Sequence, residues 1–303
     1  MTPWLDAFAP AFGLIALGAV LRARLVRDPA AWAGMERLVF YVLLPCLLAS
    51  SIGATDPSRL PVGAMAAALW GALLAGAAAS YALARAFGLG HAATTSLLQG
   101  GIRFNNLTAF AVVGGALGPE AVALAGVAVG LIVPAVQAIL AVAFALGADG
   151  PRPSPLRLAG RALSNPLLLG CLAGFALAAM GGPPPGVAPL LRALGGGSVA
   201  LGLLAVGAAL TPAALAGRPG VQAATAGLKL AAVPLATLAL GAAAGLGPLP
   251  LAVAVLCMAQ PTATTGYVMA RALGGDAPLV AALITGQHLA AALTLPLWVW
   301  VLT

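Results

Sequence analysis

Apolar residues run through this chain in long blocks, and the polar residues fall between the blocks instead of alternating with them. Ten blocks can be read, at about residues 7–23, 36–53, 62–86, 92–117, 120–146, 164–181, 187–212, 221–245, 249–272 and 277–302. Most are close to the roughly 20 residues that a helix needs to cross about 30 Å of hydrocarbon. A membrane β-barrel would show segments of about ten residues with strict alternation, and these runs do not alternate. The expectation is an all-α membrane protein with ten transmembrane helices. The joints carry turn and stop signals: RLVRDP, ATDPSR, GADGPRPSPLRLAGR, GGPPPG, AGRPG and GLGPLP.

The basic residues test the count. With the N-terminus outside, the inner joints hold Arg22, Arg24, Arg27, Arg37, Arg85, Arg152, Arg157, Arg161, Arg218 and Arg271, and the outer joints only Arg59 and Arg192. That bias fits ten spans with both termini periplasmic in a bacterial inner membrane, and one missed helix would scramble it. The net charge of +7 therefore reads as a topology signal and not as a nucleic-acid surface. Composition agrees: 62% of residues are hydrophobic, 7% are charged, and mean hydropathy is +1.06. Cys46, Cys171 and Cys257 lie far apart inside apolar blocks, which argues against a disulfide framework or a zinc site. The first block ends in LRARLVRD, with no small-residue cleavage site, so a first transmembrane helix is expected there and not a signal peptide.

The longest polar joint divides the chain into a first repeat at 1–146, a cytoplasmic linker at 147–163 and a second repeat at 164–303. A shift of 156 residues places Pro10 on Pro166, Gly18 on Gly174, Leu117 on Leu273 and Glu120 on Asp276. Five spans to a half is an odd number, so the second half enters from the opposite side, an inverted 5+5 repeat. Secondary transporters commonly use that plan, with the substrate held near the midplane by interrupted helices.

Two stretches could carry chemistry. Ser96 to Gly118 holds Arg103, Asn105 and Asn106 in the middle of an apolar block. An arginine at bilayer depth costs about 2.5–3.5 kcal/mol on insertion scales, so such residues usually mark a function. Arg103 lies around 11 residues into its block, roughly 16 Å along a helix, which makes snorkelling to an interface hard. A structural ion pair is the other reading. The shift sets Asn105 opposite Pro261 in CMAQPTATTGYVMARALGGD, where Gln260, Thr262 and Thr264 flank a proline that interrupts helical bonding. A broken helix and a simple proline kink both fit. The matching break in block four has no proline and would rest on Gly100, Gly101 and the paired asparagines. His288 with Gln287 is either a proton site or a hydrogen-bonded structural pair. Lys229 sits near enough to the end of block eight to snorkel.

At these residues the chain resembles the auxin efflux carrier family, which contains plant PIN-type auxin exporters and bacterial carriers linked to malonate and malate. The matching features are PAFGLIALGAVLRARLV, MERLVFYVLLPCLLASS, RFNN, QPTATTGYVMARALGGD and TLPLWVWVL. The resemblance implies an inverted 5+5 repeat with scaffold and transport portions and a crossing of broken helices 4 and 9. It implies a substrate site at Arg103, Asn105, Asn106, Gln260, Pro261, Thr262 and Thr264. Plant members carry proline where this chain has Phe104-Asn105-Asn106, and Arg103 is outside the plant pattern, which points to a small carboxylate more than to auxin.

The expected function is secondary active transport of a small organic anion by alternating access. No cofactor is expected beyond proton or sodium coupling, and the partners are the anion, membrane lipid and, as one option, a second copy in a homodimer. The alternatives are a sodium-coupled carrier resembling bile-acid symporters and a non-transporting sensor or scaffold. An intramembrane enzyme would need a nucleophile, an acid/base pair or metal ligands, and no HExxH, GxSxG or acidic pair lies in any block.

Overall fold

The computed structural model describes residues 2–56, 60–146, 160 and 164–303, with side chains from Phe8 onward. The described residues are helical, with no strand. The helices are α1 (Thr2–Arg24), α2 (Pro29–Gly53), α3 (Val62–Ala86), α4 (His91–Ile102), α5 (Asn106–Leu117) and α6 (Pro119–Ala145). After the polar joint come α7 (Pro166–Ala179), α8 (Val187–Ala209), a 3-10 turn (Pro212–Ala216), α9 (Pro219–Ala243), α10 (Pro248–Met258), α11 (Thr265–Leu273) and α12 (Ala277–Leu302). Six of these, α2, α3, α6, α8, α9 and α12, are long and apolar enough to cross a membrane. The blocks expected at 92–117 and 249–272 are each two shorter helices. Most of the linker 147–163, with Arg152, Arg157 and Arg161, and also Arg59, lies outside the described residues.

Local chemistry explains the ends. α2 begins at Pro29, seven residues before the expected 36, because Asp28 Oδ1 accepts from Ala30 N–H at 2.9 Å and Pro29 has no N–H to leave unpaired. Asn165 does the same for α7, accepting from Leu167 N–H at 2.9 Å. Asn165→Ala is expected to cost about 1 kcal/mol, whereas Asn165→Asp keeps the cap. Thermal unfolding in detergent reads the difference, and equal melting of the two variants would show that the cap contributes nothing.

Among the described residues two helices contain a π turn: Val39–Leu43 in α2 and Leu228–Ala232 in α9. Each is followed two residues later by a proline, Pro45 and Pro234. A proline ring clashes with the carbonyl four residues back and donates no bond to it, and a widened turn relieves the clash. In α9 the carbonyl so released is that of Leu230, and the Trp298 indole donates to it at 2.8 Å.

The chain divides into two compact units, each assembled from both halves of the sequence: Met1–Gly63, Leu107–Gly130 and Leu163–Ala209 in one, Ala64–Asn106, Leu131–Ala162 and Leu210–Thr303 in the other. Within the first, α1 and α8 pack backbone to backbone, Gly18 against the Leu204 carbonyl and Gly207 against the Ile15 carbonyl. Small residues allow that approach between membrane helices. Within the second, large apolar side chains face outward, among them Leu74 and Tyr81 on α3 and Leu293 and Trp300 on α12, the last two 79% and 68% exposed. Side chains buried in the same unit include Thr95, Gln99, Arg103, Lys229, Gln260 and Gln287. An apolar exterior over a polar interior suits a protein surrounded by lipid.

Candidate functional site

The two short-helix pairs are interrupted helices, and the interruptions touch. α4 closes with Arg103 N–H donating to the Gln99 carbonyl at 2.9 Å; Arg103 then turns extended, and regular structure resumes only at Asn106. The break therefore falls at Arg103–Asn105 and not at the glycine pair. Gly100 and Gly101 stay helical, and a Cβ on Gly100 would stand 2.6 Å from Leu283 Cδ1, so its role is close packing. α10 stops at Met258, and Ala259–Thr264 are non-helical before α11. Pro261 supplies the reason, since it removes a donor and pushes the preceding residue out of helical geometry.

The interruptions expose backbone groups that a helix would pair, and several of them find partners from the other break or from α12. Asn105 N–H donates to the Pro261 carbonyl at 2.8 Å. The Gly100 carbonyl accepts from Thr262 Oγ1 at 3.0 Å and from Gln287 Nε2 at 2.9 Å. Gln287 Oε1 accepts in turn from Thr262 N–H at 2.9 Å, so one amide clamps both breaks. His288 lies beside it, with Nδ1 2.7 Å from the Ile284 carbonyl and Nε2 3.2 Å from Asn105 Nδ2. A carbonyl only accepts, so in the neutral ring Nδ1 carries the proton and Nε2 accepts from the Asn105 amide.

Arg103 is buried, and its guanidinium reaches α11, donating to Thr265 Oγ1 at 2.8 Å and to Met269 Sδ at 3.3 Å. A hydroxyl and a thioether are both neutral, and the guanidinium carries five donors. Gln260 folds back on its own helix, Nε2 to the Leu256 carbonyl at 2.9 Å, with Oε1 unpartnered. Thr264 stands at the N-cap of α11 without a side-chain capping bond, and Asn106 opens α5, half-buried. Thus Arg103, Asn105, Pro261, Thr262, Gln287 and His288 are tied into the crossing by direct bonds. Gln260, Thr264 and Asn106 adjoin it along the chain.

Lys229 corrects the sequence reading. It does not snorkel: the side chain is wholly buried in the π turn of α9, and Nζ donates to the Met258 carbonyl at 2.6 Å. Met258 is the last residue of α10, where a helix presents unpaired carbonyls and the negative end of its dipole, so an ammonium is well placed. Nothing in the local sequence of Lys229 announces this, because its partner lies 29 residues away. Among the described residues no cluster of three or more His, Cys, Asp or Glu could hold a metal ion, and the three cysteines are free.

Residues 155–299 match the family model for a membrane transport protein, the domain of the auxin efflux carrier family. The matched stretch contains the second break, Lys229, Gln287 and His288; Arg103 and the first break precede it. No curated protein sequence matches the chain.

Proposed function

We propose, from a chain that carries the membrane transport domain of the auxin efflux carrier family over residues 155–299, that this protein is a secondary carrier of a small organic anion. The observation that supports the reading most is the Asn105 N–H to Pro261 carbonyl bond joining two helix interruptions, with the buried Arg103 at the edge of the joint. Discontinuous helices that meet are a common way for transporters to present backbone groups to a substrate, and a guanidinium whose partners are neutral favours an anion.

The proposed architecture is ten spans in an inverted 5+5 repeat. The 156-residue shift that sets Asn105 on Pro261 also sets Ile102 on Met258 and Leu117 on Leu273, the last residues of α4 and α10 and of α5 and α11. Both termini would face the periplasm of a bacterial inner membrane, and alternating access would expose the crossing to each side in turn. In this scheme Arg103 holds the carboxylate, Asn105 and Asn106 with Thr262 and Thr264 line its surroundings, and His288 is the group through which a proton would be felt at Asn105.

Sodium coupling at the crossing finds less support. Break carbonyls commonly hold sodium in such carriers. Here those of Leu256, Met258, Pro261 and Gly100 accept from Gln260, Lys229, Asn105 and the Thr262–Gln287 pair. The test is uptake by proteoliposomes of labelled mono- and dicarboxylates against protein-free vesicles. Saturable accumulation of at least one, independent of a sodium gradient, is expected. Well-folded protein that moves none of them would favour the sensor or scaffold reading instead.

A further inference from the structure

Among the described residues five buried side-chain polar atoms have no hydrogen-bond partner, and three of them share one face of α4: Ser96 Oγ and both ends of the Gln99 amide. Ser96, Gln99 and Arg103 are three and four residues apart, which stacks them on one side of the helix. Ser96 and Gln99 are completely buried. What they face is α11 and the turn after it. A Cβ on Gly266 would stand 3.4 Å from Gln99 Oε1 and 3.7 Å from Arg103 Cδ, and one on Gly275 would stand 3.1 Å from Ser96 Oγ. Arg103 crosses the same seam to Thr265 and Met269. The seam is polar on the α4 side and lined by small residues on the α11 side.

Packing alone does not account for this. Methionine at position 99 would fill a similar volume, and an amide buried with neither end paired is costly to keep. The amide and the hydroxyl make sense when a polar group enters the seam. Four residues of α-helix cover about 6 Å, so Gln99 lies within reach of the second functional group of a three- or four-carbon acid anchored at Arg103, and Ser96 lies one turn beyond. An amide offers both a donor and an acceptor, which suits a hydroxyl or a second carboxyl group on that molecule.

Resting on the organic-anion reading above, we infer that the α4–α11 seam sets substrate specificity: Arg103 holds a carboxylate, while Gln99 and Ser96 recognise a second hydrogen-bonding group on the same small acid. Plain monocarboxylates then leave the amide unpaired and bind more weakly.

Thermal-shift titration of the purified full chain tests this with two matched pairs, lactate against propionate and succinate against butyrate. The parent is expected to bind the first of each pair about tenfold more tightly, the worth of one hydrogen bond to a charged or buried partner. Gln99→Met is expected to bring lactate down to propionate and succinate down to butyrate, and to melt no lower than the parent without ligand. Ser96→Ala, a smaller change, is read the same way where Gln99→Met yields no folded protein, and a smaller loss of preference is expected. A variant that keeps the full preference, or melts lower while keeping it, overturns the inference and makes the amide a structural group. A parent that binds carboxylates without preference overturns it too but leaves the organic-anion reading standing, whereas a parent that binds none of the four removes both.

Discussion

Arg103→Gln is expected to reduce carboxylate uptake by roughly ten- to a hundredfold while leaving the protein folded. The size follows from losing charge-assisted hydrogen bonds, about 1.5–3 kcal/mol for bonds to a charged group, with each 1.4 kcal/mol worth tenfold. The fold is expected to survive because the arginine's partners, Thr265 Oγ1 and Met269 Sδ, are neutral groups on α11 and no buried carboxylate is orphaned by its removal. Burying a cation opposite neutral partners is unfavourable in itself, so the melting temperature of Arg103→Gln should hold or rise. Arg103→Lys keeps the charge but replaces a planar fork with a point donor on a different reach, and partial activity is expected. Uptake by Arg103→Gln at the parental rate, in proteoliposomes of matched protein content, would remove the arginine from the site.

Gly207→Val is expected to be among the most destabilising single changes in the molecule. Its added atoms would fall on the Ile15 carbonyl, and the mirror contact of Gly18 with the Leu204 carbonyl shows that α1 and α8 touch through their backbones at two levels. A side-chain neighbour could turn aside; a carbonyl held in a helix cannot. Overpacking costs about 1–3 kcal/mol where neighbours can move, and the upper end or beyond is expected here. For a chain of this size that is a fall in melting temperature of roughly 5–10 °C. Gly34→Ala is the control: it lies in α2 with nothing near its missing Cβ, and the better helix former should leave stability equal or slightly raised. If both variants melted with the parent, the close approach of α1 to α8 would be wrong.

The helical blocks were legible because apolar length and proline-glycine joints act locally, and Pro261 marked an interruption without deciding between a break and a kink, since Pro134 and Pro296 stay inside continuous helices. The break at Arg103–Asn105 was legible in part: the paired asparagines mark it, whereas the glycine pair expected to share it stays helical. Glycines are permissive, not compulsory, breakers, and tertiary bonds from Pro261, Thr262 and Gln287 decide where the helix lets go. The early start of α2 was written in Asp28-Pro29 as a cap, a signal that hydropathy alone overlooks. Lys229 was misread for the opposite reason: a lysine near a helix end is usually drawn outward, and here the carbonyl end of another helix captures it. Ser96 and Gln99 had no signature at all, since one hydroxyl and one amide in an apolar helix are ordinary until their lack of partners is seen.

The π turns have a geometric effect on how the interior is addressed. Each adds one residue to a turn, which offsets the angular phase of everything before it against everything after it by about 100°, the rotation of one residue about a helix axis. In α9, Pro219–Gly227 and Val233–Ala243 are therefore two helical segments whose faces are set to different headings. Lys229 sits in the collar between them, where one residue more or fewer would swing its ammonium to another compass point and leave the end of α10 without its cation.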